Sequence, residues 1–124
     1  MKAGVAVSAE TIVKLLHSHR IDLSSEKRAQ DDIETILTQQ GIPHVREYRL
    51  SGRDIVDFFL AKTGLGIEVK LKGAAKMAVF RQLKRYAAHD AVRSLLLVTN
   101  LSMGLPPEIG GKPAHYASLG RAWL

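Results

Sequence analysis

The chain has no cysteine, which removes disulfide staples and thiolate metal sites from consideration and fits a reducing compartment. It has no apolar run near the roughly 18 residues that a membrane-spanning helix needs, and no charged-then-apolar leader ending in a cleavage site. The expectation is therefore a soluble, unexported protein with no membrane partner. No Gly-rich phosphate loop, Ser-His-Asp set, zinc-ligand spacing, internal repeat or low-complexity tract occurs. His17 and His19 are two residues apart, about 200° around a helix, and cannot chelate one ion together. His44, His89 and His115 are isolated in sequence.

Acidic residues are missing altogether between Val69 and His89, where Lys70, Lys72, Lys76, Arg81, Lys84 and Arg85 fall. That segment alone could account for the formal net charge of +6. Charge placed this way favours a polyanionic partner, with a solvated helix face as the alternative. A length of 124 residues implies one domain, able to bury about two thirds of its unfolded surface without staples.

The pattern along the chain predicts a leading helix over 8–20 after an N-cap at Ser8, an N-terminal extension ending near residue 22. A second helix follows Ser24-Ser25, carries the stripe Ala29, Ile33, Ile36 and Leu37, and stops at Gly41. Glu26 falls within about 40° of the middle of that stripe and so points toward whatever the helix packs on, or serves the helix dipole. Glu34 lies more than about 100° away and is expected to face water. Strands are predicted over 44–50, 55–60 and 65–71, a helix over 75–89, a strongly apolar strand over 92–99, an irregular loop over 100–112 and a last strand over 113–119. The order implies a three-layer α/β/α sandwich around a central mixed sheet.

Two of those strands carry charge in their middle. Ile55 to Leu60 is interrupted by Asp57, and Ile67-Glu68-Val69-Lys70-Leu71 alternates charge with apolar residues. Alternation sets Glu68 and Lys70 on one face with Ile67, Val69 and Leu71 on the other, and sets Val56, Phe58 and Leu60 together opposite Asp57. Burying an unpaired ionised group costs several kcal/mol, so something must compensate these charges, and a divalent cation held by Asp57 and Glu68 beside Lys70 would do so. In antiparallel neighbours of suitable register the two carboxylates can converge; the sequence permits that register without fixing it. On the following helix Gln82 and Tyr86 share a face at i, i+4, flanking the inward stripe of Val79 and Leu83, while Arg81, Lys84 and Arg85 point away.

Together these residues resemble the PD-(D/E)XK nuclease superfamily, the restriction-endonuclease-like fold. The matching pieces are Val56-Asp57, ten residues to Glu68-Val69-Lys70, an acidic Glu26 on the preceding helix, and Gln82-Leu-Lys-Arg-Tyr86, which looks like the Gln-x-x-x-Tyr motif of phage-type and exonuclease-type members. The resemblance spans Ser25 to Asn100, an αβββαβ core, and departs from the family where its Pro is Val56. It implies a metal-dependent deoxyribonuclease in which Asp57, Glu68, the Val69 carbonyl and Glu26 hold Mg²⁺ or Mn²⁺. Lys70 would orient and help deprotonate the attacking water, Gln82 and Tyr86 would hold Lys70 or the substrate phosphate, and Lys72, Lys76, Arg81, Lys84 and Arg85 would grip DNA backbone. It further implies structure- or end-selective cutting, and a cytoplasmic setting in a bacterial or phage-infected cell. A dimeric Holliday-junction resolvase-like endonuclease and a non-cleaving DNA-binding or assembly module of the same fold are the alternatives.

Overall fold

The computed structural model describes residues 6–120, an α/β fold in the order α1 (Ala9–His17), α2 (Glu26–Gln39), β1 (Val45–Arg49), β2 (Ile55–Leu60), β3 (Leu65–Lys70), α3 (Lys76–Ala87), β4 (Ser94–Thr99), β5 (Glu108–Ile109) and β6 (Lys112–Ser118). Each helix starts where its sequence says. Ser8 Oγ accepts the Thr11 N–H and Ser25 Oγ the Arg28 N–H, both at 3.1 Å, so each serine satisfies one of the orphan donors of its helix. Gly41 stops α2 with φ at 68°, a left-handed turn that lets Ile42 N–H reach back to the Leu37 carbonyl at 2.9 Å.

The first helix ends earlier than the apolar period suggests, because local polar groups take over its last carbonyls. In α1, Ser18 Oγ donates to the Leu15 carbonyl at 2.7 Å and His19 Nδ1 lies 2.9 Å from the same oxygen, so the predicted run to Arg20 closes at His17. Val92 and Arg93 belong to a turn rather than to β4: Val92 N–H donates to the His89 carbonyl and Arg93 N–H to the Gly64 carbonyl. That clamp needs Gly64, whose φ is +73° and where an added Cβ would stand 3.0 Å from the Ala91 carbonyl oxygen. The 100–112 loop, expected to be irregular throughout, contains β5. Gly110 and Gly111 have φ of 60° and 79°, the two positive values a two-residue hairpin turn requires, and they pair Ile109 with Lys112.

The sheet is mixed, six strands in the order β1-β2-β3-β4-β6-β5. β1, β2 and β3 form an antiparallel meander; β3, β4 and β6 run parallel; β5 pairs antiparallel with β6. Ile33, Leu37, Ile12 and Leu16 of α1 and α2 are buried in one cluster with Phe58, Leu60, Ile67, Val69, Leu96 and Val98. Val79, Leu83 and Tyr86 of α3 are buried in another with Val56, Phe59, Leu95 and Leu97. Alternate residues of β4 thus serve different clusters, as strand geometry demands.

β2 breaks that alternation, against expectation. Val56 packs with α3, whereas Phe58 and Leu60 pack with α1 and α2. The interruption is at Asp57. The pairing of β1 with β2 runs Arg46↔Phe58 and Tyr48↔Val56, and that of β2 with β3 ends at Phe58↔Ile67. Asp57 and Glu47, which the same register would set opposite each other, drop out, and Glu47 holds a φ of 53°, a left-handed value that costs a side-chain-bearing residue about 1–2 kcal/mol.

Candidate active site

Where the backbone ladder between β2 and β3 stops, side chains replace it. The Asp57 carboxylate accepts the Val69 N–H on Oδ2 at 2.8 Å, and Glu68 Oε1 accepts the Asp57 N–H at 3.3 Å. Lys70 Nζ lies 3.2 Å from Glu68 Oε2, on the face that alternation along β3 assigns to both. Three residues from two strands therefore meet, in the register the sequence permitted without fixing. Glu68 is only 2 % exposed, Asp57 is half-buried, and the Lys70 ammonium beside them is a point charge with donors to spare.

Burial is the main force on both carboxyls. It pushes Asp57 up to about 6, opposed by the Val69 N–H and the Lys70 charge and aided by the charges of Glu26 and Glu47. It pushes Glu68 up to about 8, with the Asp57 charge adding to the rise and Lys70 opposing it. The acids are thus undercompensated by the protein alone, since one lysine faces two carboxylates. Hard oxygen donors in such a pair suit Mg²⁺ or Mn²⁺, which are commonly held by one or two carboxylates with waters and substrate phosphates filling the remaining positions. The donor set fits that role.

The other predicted site residues are placed less centrally. Glu26, in the first turn of α2, turns inward as expected, and its Oε2 accepts the Leu71 N–H at 3.3 Å just past the end of β3. It acts on Asp57 through its charge, but among the described residues no three His, Asp or Glu side chains stand close enough to share an ion. Val69 gives its N–H to Asp57, and its side chain is fully buried. Gln82 and Tyr86 bond to each other, Gln82 Nε2 donating to the Tyr86 hydroxyl at 2.8 Å, and that hydroxyl donates to the Ile55 carbonyl at 2.7 Å. The buried Tyr86 ring thus carries its oxygen onto the backbone two residues before Asp57 and within reach of the Glu68 carboxylate, rather than to Lys70. Burial, with the nearby charges of Glu68 and Asp57, holds that phenol protonated well above its ordinary range.

Lys72, Lys76, Arg81 and Lys84 are exposed, as the charge pattern predicts. Arg85 is partly diverted: its Nε lies 3.2 Å from Oδ1 of buried Asp54, whose Oδ2 is 3.0 Å from His89 Nε2. The His89 bond, with the Arg85 charge, holds Asp54 below the usual carboxylate range. This cluster was missed by the sequence reading; an acid immediately before an apolar strand was its only signal. Glu34, expected to face water, is half-buried instead, at 3.2 Å from Arg46 Nη1 and 3.1 Å from His44 Nε2, because β1 folds back along the flank of α2. Glu47 was missed as well, and only its through-space effect on Asp57 and its backbone conformation mark it.

Comparison with models of known protein families, with curated proteins and with solved structures found no match.

Proposed function

We propose that this chain is a Mg²⁺- or Mn²⁺-dependent deoxyribonuclease of the PD-(D/E)XK kind, its sheet forming the middle layer of an α/β/α sandwich. The observation that carries the reading is the meeting of Asp57, Glu68 and Lys70 where β2 and β3 stop pairing. Asp57, Glu68 and the Val69 carbonyl would hold the ion, with Glu26 acting on it at longer range. When bound, the cation supplies Lewis-acid stabilisation of charge developing on the phosphodiester oxygens. Lys70 orients the attacking water and eases removal of its proton, a role suited to an amine next to a carboxylate. Gln82 and Tyr86 position the site by fixing the β2 backbone at Ile55. Lys72, Lys76, Arg81 and Lys84 hold DNA through its phosphates without reading bases.

The test is cleavage of plasmid, linear, nicked, flap and four-way-junction DNA with Mn²⁺ or Mg²⁺, beside Asp57→Ala and Lys70→Ala. The wild type is expected to cut and each variant to lose at least about a hundred-fold in rate. Equal activity in all three overturns the proposal.

A non-cleaving DNA-binding module is favoured by one observation. Lys70 already pairs with Glu68, and the Val69 N–H with Asp57, so part of the buried charge is compensated without an ion. DNA binding with no uptake of Mn²⁺ would select that reading.

A further inference from the structure

The parallel strands β3, β4 and β6 end side by side, with Lys70 next to Thr99 and Thr99 next to Ser118. In open α/β sheets the carboxyl ends of the strands form the edge where ligands enter, because the chain leaves the sheet there and opens a crevice. Here that edge opens into a cleft of about 1190 Å³ lined in part by Lys72, Asn100, Met103, Gly104, Tyr116 and Ser118. Lys72 is two residues past Lys70, so the cleft begins at the end of the strand that carries Glu68 and Lys70.

The chemistry of the lining is specific. Asn100 Oδ1 accepts the Lys72 backbone N–H at 2.8 Å, which turns the amide so that Nδ2 remains a donor on a wall that Lys72 also lines. The Tyr116 hydroxyl donates to the Leu101 carbonyl at 2.7 Å. That bond pins the segment after β4 to β6, and the half-buried Tyr116 and Met103 side chains both pack against the α3-side core and line the cleft. Among the described residues no carboxylate lines the cleft. Cationic and neutral donors around an aromatic and aliphatic interior suit an anion joined to a flat apolar body, which is the make-up of a nucleotide. Bases stacked and paired within a duplex cannot enter such a cleft; an unpaired nucleotide can, and stacking on an aromatic ring is how single strands are commonly held.

We propose that this cleft receives an unpaired nucleotide adjoining the phosphodiester bound at Asp57, Glu68 and Lys70, so that DNA bearing a single-stranded end or branch is preferred over blunt duplex. The inference rests on the nuclease reading, and it selects among that reading's substrates.

The test is fluorescence anisotropy in EDTA with a blunt duplex and the same duplex carrying a short oligo-dT extension, repeated with Gly104→Trp. Gly104 lines the cleft, and an added Cβ there meets nothing within 4 Å, so an indole placed at its wall does not displace the fold. The wild type is expected to bind the extended duplex about ten-fold more tightly. Gly104→Trp should lose that preference while keeping wild-type affinity for the blunt duplex and an unchanged melting temperature. Lys72→Gln is the second variant, expected to weaken binding of the extended duplex more than of the blunt one. Equal binding of both duplexes by the wild type, or a preference that survives Gly104→Trp, overturns the inference. The same preparations in Mn²⁺ separate it from the reading beneath it. Cleavage with no binding preference removes the cleft and leaves the nuclease; a Trp-sensitive preference with no cleavage removes the nuclease and leaves the cleft.

Discussion

Glu68 and Asp57 are acids that folding makes harder to ionise, and that has a consequence for stability. A carboxyl whose folded value is raised favours the native state at low pH, and the advantage is lost as pH climbs from its unfolded value through its folded one. For Asp57 that window runs from 3.8 to about 6, and for Glu68 from 4.5 to about 8. Thermal melts of the metal-free protein are therefore expected to show a falling contribution from this pair between about pH 4 and about pH 8, and saturating Mg²⁺ is expected to recover most of it at the alkaline end. Glu68→Gln should flatten the profile and remove the Mg²⁺ effect; a profile unchanged by that substitution would contradict the assignment. Glu47 offers a second check at this scale. Glu47→Gly relieves a left-handed backbone at φ 53° and is expected to leave stability equal or up to about 1 kcal/mol higher, read by chemical denaturation, whereas a β-branched residue there should lower it.

At the scale of elements, α3 is fastened to β2 at the site by one phenol. Tyr86→Phe removes the hydroxyl that bonds the Ile55 carbonyl and receives Gln82, leaving a part-buried acceptor and the Gln82 amide without that partner. The expected loss is about 1–3 kcal/mol in urea denaturation, with cleavage falling as β2 loosens around Asp57; stability and rate both unchanged would remove the positioning role. Most of the elements were legible because their signals are local. Ser8, Ser25 and Gly41 mark helix ends through a single bond or a single dihedral, and the Leu95 to Val98 run reads as a strand buried on both sides. What was illegible depended on partners distant in sequence. The face switch at Asp57 follows from side chains displacing a ladder, which no period of two can reveal. The shortened start of β4 follows from a clamp on Gly64, and the half-burial of Glu34 from the path of β1. In the candidate site, Asp57, Glu68 and Lys70 could be chosen from charge inside apolar strands, while Glu47, Asp54 and the direction of the Tyr86 hydroxyl could not.

Over the whole molecule, the basic residues behind the net charge of +6 differ in how they are held: some are exposed, and others, such as Arg46, Lys70 and Arg85, face carboxylates. Arg81 and Lys84 are exposed on α3, and replacing either with glutamine is expected to weaken DNA binding uniformly and to reduce the log–log salt slope by about one. Arg85, held by buried Asp54, should reduce that slope less and instead lower stability when replaced; the reverse ranking would contradict the charge assignment. Cleavage requires that the pair of carboxylates beside Lys70 be a place for a hard cation. The most direct measurement is calorimetric titration of the metal-free protein with Mn²⁺ near neutral pH in two buffers of different ionisation enthalpy. Because burial keeps Glu68 partly protonated there, binding is expected to release protons, giving a buffer-dependent heat that disappears in Glu68→Gln. No uptake by the wild type, or uptake that survives Glu68→Gln with the same proton release, would contradict it.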